Sequence, residues 1–167
     1  IVDHKDALPA LRDGLEETLR ILGSGRTALP ESPWTPGSEA ACCRVAVLDL
    51  HDSFDPIPRG LIGPLVLRCP DTLFIPADTG LRDVLVLAPY IIIAPDARLS
   101  GQFIAPLGIE VGRGAQLAFP SLLAVVRDEL LSESPCIAVG DSAVIRGAIV
   151  AIDHSIRGRR ALVRIAP

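Results

Sequence analysis

The chain has 167 residues, of which 49% are apolar and 22% charged, and its net charge is −4. That length suits one domain with a sizeable core, and no apolar run approaches the ~18 residues needed to span a bilayer. With one Trp, one Tyr and four Phe, the chain lacks the interleaved basic and aromatic residues of a nucleic-acid surface, so nucleic acid is not an expected partner.

In chain order, the first predicted element is a helix over residues 6–22. Leu8, Leu11, Leu15, Leu19 and Leu22 recur at three- and four-residue steps and make one apolar stripe. Asp6 serves as N-cap, Pro9 lies in the tolerated first turn, and Gly23 stops the helix. The stripe is expected to pack against the domain as a cap or along one face, or to continue a longer helix from an N-terminal anchor. The chain begins at Ile1 and contains no Met, which reads as a trimmed or processed form whose anchor has been removed. Residues 23–40 are rich in Gly, Pro and Ser and read as a linker, with Trp34 as a packing anchor. Residues 42–50 have the β-branched, apolar character of a strand. Residues 51–60 are turn-rich. Together, 1–59 form an N-terminal segment of helix, linker and flanking strand or hairpin.

From residue 60 a repeat takes over. In steps of six, Ile75, Leu81, Leu87, Ile93, Leu99, Ala105, Val111, Leu117 and Leu123 are all apolar. Two residues before each stand Leu73, Thr79, Leu85, Ile91, Ala97, Phe103, Ile109, Ala115 and Ser121. Pairs of same-side residues recurring every six describe short strands with two inward side chains, separated by turns. A slower beat of eighteen marks one corner, at Pro76-Ala77-Asp78, Pro95-Asp96, Gly112-Arg113-Gly114 and Gly140-Asp141-Ser142. Past Leu123 a shift of ten residues restores both beats, with Ile137/Val139, Ala143/Ile145 and Ile149/Ala151 inward. Residues 126–135 therefore read as a loop inserted at a corner. The fold predicted for 60–167 is a mostly β, single-stranded β-helix (β-solenoid) of about eighteen residues per triangular coil, each coil burying its inward side against its neighbours.

Sites of chemistry are sparse. His4, His51 and His154 show no HxxxH or HxH spacing, and Cys42, Cys43, Cys69 and Cys136 form no CxxC pair, so no metal site and no cofactor are expected. Cys69 is a small core residue; Cys42 and Cys43 are two thiols or a vicinal disulfide. His154, following Asp153 beside a corner, is the one catalytic candidate: in a hexapeptide-repeat acyltransferase such a histidine is the general base on an acceptor hydroxyl. A surface carbohydrate-binding module using the 126–135 loop is a third reading. Charge is uneven. Residues 142–167 hold Arg146, Arg157, Arg159, Arg160 and Arg164 against Asp153, a balance of +4 that leaves −8 for the rest. Arg157, Arg159, Arg160 and Arg164 form the candidate interaction surface, for the unlike end of another copy or for an anionic surface.

The stretches IIIAPDARLSGQFIAP, IEVGRGAQLAF and IAVGDSAVIRGAIVAI resemble bactofilins, polymer-forming cytoskeletal proteins. Ile93, Ala97, Leu99, Gly101 and Phe103 match their loose repeat in one coil, and Val139, Ala143, Ile145, Gly147 and Ile149 in another. The resemblance implies a right-handed β-helix that polymerises end to end without nucleotide, beside a membrane. The run from Ala77 to Ser121 is also similar to membrane-tethered β-helix proteins of Bacteroidetes. The expected function is therefore non-catalytic: a rigid domain for self-association or cell-envelope scaffolding, with copies of itself, an envelope protein or an anionic surface as partner. The expected location is extracytoplasmic and membrane-tethered, or alternatively cytoplasmic and membrane-associated.

Overall fold

Short runs of alternating or continuous Val, Ile and Leu make strands throughout a computed structural model that describes residues 45–53, 55–127, 136–153 and 162–166. The strands are β1 (Ala46–Asp49), β2 (Ile62–Arg68), β3 (Thr72–Ile75), β4 (Arg82–Leu87), β5 (Tyr90–Ile93), β6 (Arg98–Leu99), β7 (Gly101–Ala105), β8 (Gly108–Val111), β9 (Gln116–Arg127), β10 (Cys136–Val139), β11 (Val144–Asp153) and β12 (Leu162–Ile165). They pair in parallel. One sheet runs β1-β2-β4-β7-β9-β11 with β6 also on β9, and the other runs β3-β5-β8-β10-β12. These residues belong to one unit, Cys43–Pro167.

This corrects the expected triangular coil. The described residues form two sheets of parallel strands, neither of them closed, and contain no helix. The third face foreseen at Thr79/Leu81 and its equivalents is not a separate sheet. Its one strand, β6, pairs with β9 at Arg98↔Gln116 and Leu99↔Leu117 and so joins the first sheet. Elsewhere the corner turns run straight into β4, β9 and β11. A six-residue beat cannot distinguish a separate face from the start of a long strand, because both place alternate residues inward. The predicted helix over 6–22 lies outside the described residues.

In the second sheet the eighteen-residue spacing holds. Ile75 pairs with Ile93, and Ile93 with Val111. Val111 then pairs with Val139, ten residues further on than the beat. Val126 and Arg127 still belong to β9; residues 128–135 lie outside the described part. Equivalent corner positions Asp96, Gly114 and Ser142 all have positive φ (58°, 69° and 57°), which Gly, Asp and Asn adopt more readily than other residues and Ser less so.

The first sheet keeps the beat less strictly. Asp83 takes a left-handed φ of 59°, and the alternation slips by one after it. Val84, Val86 and Ala88 face the core, while Leu85, expected inward, is half-buried outside the core cluster. Further along, Phe103 pairs with Leu123, not Ser121. Two extra residues of β9 lie between Leu117, opposite Ile145, and Ser121, opposite Gly147. Because two is even, Ser121 and Leu123 stay inward and only the rung changes. The resulting row Leu67–Val86–Phe103–Leu123 is fully buried.

Beneath it, Val84, Gly101, Ser121 and Gly147 approach so closely that glycine is required at two of the four. A methyl on Gly101 would overlap the Val84 carbonyl oxygen, and one on Gly147 the Ser121 carbonyl oxygen. The buried Ser121 hydroxyl donates to the Ala118 carbonyl at 2.5 Å. On the other side of the same sheet, Leu87, Ile104 and Ala124 form a second buried row, separate from the core cluster. Parallel strands covered on both faces read as continuous apolar runs, which is why VLVL and LLAVV show no alternation.

Candidate interaction surfaces

The two ends of the core differ. At the β1/β3 end, Leu50, Ile57 and Leu61 pack into or against the core, so Leu73 and Ile75 of the edge strand β3 are no more than 1% exposed. This covering chain forms no strand among the described residues, and its ends are tied by backbone bonds from the Leu50 amide to the Arg68 carbonyl and from the Gly60 amide to the Thr79 carbonyl. The His51 amide donates to Asp55 Oδ2 at 2.6 Å, the Asp55 amide to Asp52 Oδ1 at 3.1 Å, and the Cys69 thiol to the Asp52 carbonyl at 3.6 Å. Pro56 and Pro58 lack the N–H groups that a further strand would need. An ion pair joins Asp49 of β1 to Arg68 of β2, with Nη2 donating to Oδ2 at 2.8 Å. The Arg68 hydrogen bond holds the Asp49 carboxyl below its ordinary range.

At the other end β11 and β12 are the last strands of the two sheets among the described residues. All four residues of β12 are exposed. Val163 and Ile165 continue the inward rows of Ile137 and Val139, yet stand 40% and 70% exposed. Ile145, Ile149 and Ala151 of β11 are only partly buried against the core. Among the described residues an apolar core thus ends beside two strand edges without a partner, the arrangement that most favours pairing with another chain.

Of the four arginines expected to form an interaction surface, Arg164 is described. It lies on β12, exposed, alternating with the inward Val163 and Ile165. Arg157, Arg159 and Arg160 lie outside the described residues, as do His4, His154, Cys42 and Cys43. Cys69 is buried as expected, and burial pushes its thiol pKa up. Cys136 is free and half-buried on the outer side of the second sheet. Among the described residues no group of three or more His, Cys, Asp or Glu is placed to hold a metal ion, and no helix is long and apolar enough to cross a membrane.

Several contacts found here were not foreseen. The Tyr90 hydroxyl donates to Glu110 Oε1 at 2.6 Å, and the ring lies across Gly108, where a methyl would sit 2.6 Å from Cε2. Burial, then the bond to Glu110, pushes the Tyr90 pKa up to about 12. Arg59 pairs with Asp78. The partners in these pairs stand 19 or 20 residues apart or, for Arg59 and Asp78, a similar step. One turn of the repeat separates them, so a search for complementary side chains at that spacing would have found them. No family model matches the chain, and no curated protein or solved structure is similar to it.

Proposed function

We propose that this is a non-catalytic structural protein, a stiff parallel-sheet domain that self-associates through the β11/β12 end and serves as a cell-envelope scaffold. The observation that carries the reading is the bare end of the core: the inward Val163 and Ile165 are 40% and 70% exposed, on parallel edges that have no further strand among the described residues. An apolar patch of this kind on a sheet edge marks a protein–protein contact or an aggregation hazard. End-to-end association is also what the likeness to bactofilins implies, and that likeness supports placement beside a membrane.

Sedimentation velocity over a range of concentrations tests the reading. The wild-type chain is expected to form concentration-dependent oligomers. Ile165→Glu, which places a carboxylate on a side chain already 70% exposed, should weaken association by at least about tenfold, since burying an unpaired charge is costly, and leave the circular dichroism unchanged. A wild-type chain that stays monomeric at the highest attainable concentration would overturn the proposal.

A further inference from the structure

A second surface, independent of self-association, carries polar side chains without a partner among the described residues. An open groove of about 300 Å³ is lined by Ile62, Gly80, Arg82, Arg98, Ser100 and Gln116, among others. Leu81 and Leu99 point into the core beneath it, so the residues flanking them face out. Gly80 leaves a dip, because a methyl there would find only Gly60 backbone at 3.9 Å. Arg98 lies opposite Gln116 in register. The Ser100 amide donates to the Leu81 carbonyl, and the Ser100 carbonyl accepts from the Asp83 amide, which sets Arg82 opposite Ser100. Neighbouring strands lie ~4.8 Å apart, within reach of both guanidinium groups and of the Gln116 amide.

Two features mark the groove as more than a basic surface. Arg82 and Arg98 make no ion pair or side-chain hydrogen bond among the described residues, in contrast to Arg59 and Arg68. Ser100 is only 7% exposed; its backbone groups are paired, but its hydroxyl has no partner among the described residues. A buried hydroxyl left unpaired is destabilising and rare. Ser100 lines the same groove as Arg82 and Arg98, two cations without an ion pair among the described residues.

We propose that this groove binds a phosphate-type oxyanion, with Arg82 and Arg98 as the charged clamp and Ser100 and Gln116 as further donors. Donors approach from several strands, which suits the tetrahedral spread of phosphate oxygens better than the two coplanar oxygens of a carboxylate. Guanidinium groups match phosphate bidentately. The anion could be free phosphate or a phosphate group along an anionic polymer, and the two sources are separable by experiment.

The test is thermal stabilisation and calorimetric titration of the full chain with inorganic phosphate and, in parallel, with polyphosphate, against chloride at matched ionic strength. Phosphate-specific stabilisation is expected. The Arg82→Ala/Arg98→Ala double variant should bind at least about tenfold more weakly, and Ser100→Ala about threefold or more, as loss of charge-assisted and neutral hydrogen bonds implies. Arg113→Ala, at an exposed corner, should bind as wild type does. Comparable affinity per phosphate for both probes assigns the site to the free anion, and much tighter polyphosphate binding assigns it to a polymer. Stabilisation by neither probe beyond chloride, or equal stabilisation of the double variant, overturns the proposal.

Discussion

The alternation slip at Asp83 makes a prediction in which the smaller deletion costs more. Val86 is fully buried on the row Leu67–Val86–Phe103–Leu123, whereas Leu85 points away from the core and is half-buried. Val86→Ala removes two buried carbons at ~0.8 kcal/mol each. The void left, on the order of 40 Å³, adds ~1 kcal/mol at about 24 cal/mol per Å³. The expected loss is ~2.5 kcal/mol. Leu85→Ala removes three carbons that are about half in water already and leaves no enclosed void, for ~1.2 kcal/mol. The difference, ~1.3 kcal/mol, is about tenfold in the folding equilibrium. Urea unfolding followed by circular dichroism measures both, with the midpoint shifting and the slope unchanged. In an uninterrupted six-residue frame Leu85 would be the inward residue, and the order of the two losses would reverse. A larger loss for Leu85→Ala than for Val86→Ala refutes the slip. Asp83 itself supplies a companion test: Asp83→Val should destabilise by ~1–2 kcal/mol, because a β-branched residue resists the left-handed region, and Asp83→Gly should not.

Gly147 is exposed, and on burial alone Gly147→Ala would be neutral. Overlap of the new methyl with the Ser121 carbonyl oxygen predicts a loss of ~1–3 kcal/mol in the same assay, and a change within ~0.5 kcal/mol would show that the strands separate there freely. Tyr90 is the chain's single tyrosine, so absorbance at alkaline pH reports it alone. Ionisation is expected at about 12 in the folded chain, against ~10 for an unperturbed tyrosine. Because the folded value is the higher one, this group's contribution to stability is complete below pH ~10 and is lost as pH rises toward the folded value. Glu110→Gln should lower the midpoint only in part, since burial is the larger cause; a wild-type midpoint at the unperturbed value would contradict the Tyr90–Glu110 contact.

How much of this could be read beforehand is clearest at particular residues. Spacing alone points Ile75, Ile93 and Val111 inward, and each is at most 3% exposed. The ten-residue shift placed Val139 correctly opposite Val111. Spacing points Leu85 inward and the fold does not, because nothing in RDVLVL shows which of two apolar neighbours faces in once Asp83 turns the chain over. Leu87 was found buried, but on the other side of its sheet. Of the interaction surface, the arginine cluster is visible as composition; the bare apolar end is not, since the six-residue frame makes Ala161/Val163 one more inward pair and only the register with Ile137 and Val139 turns Val163 and Ile165 inward. They are exposed because β12 is the last strand of its sheet among the described residues. The groove was equally hidden: Arg82, Arg98, Ser100 and Gln116 span 35 positions of chain and meet only through strand register.

The order of residues by itself determined that this chain is mostly β, the inward residues of the second sheet and the step of eighteen between partners there, because alternation and period are local properties of a strand. Tertiary structure alone decided that, among the described residues, the strands form two sheets, that one core end is covered and the other bare, and which cations lack a counter-charge. Each of those depends on where the chain stops pairing and on what lies one turn away, and neither is encoded within the reach of a single strand.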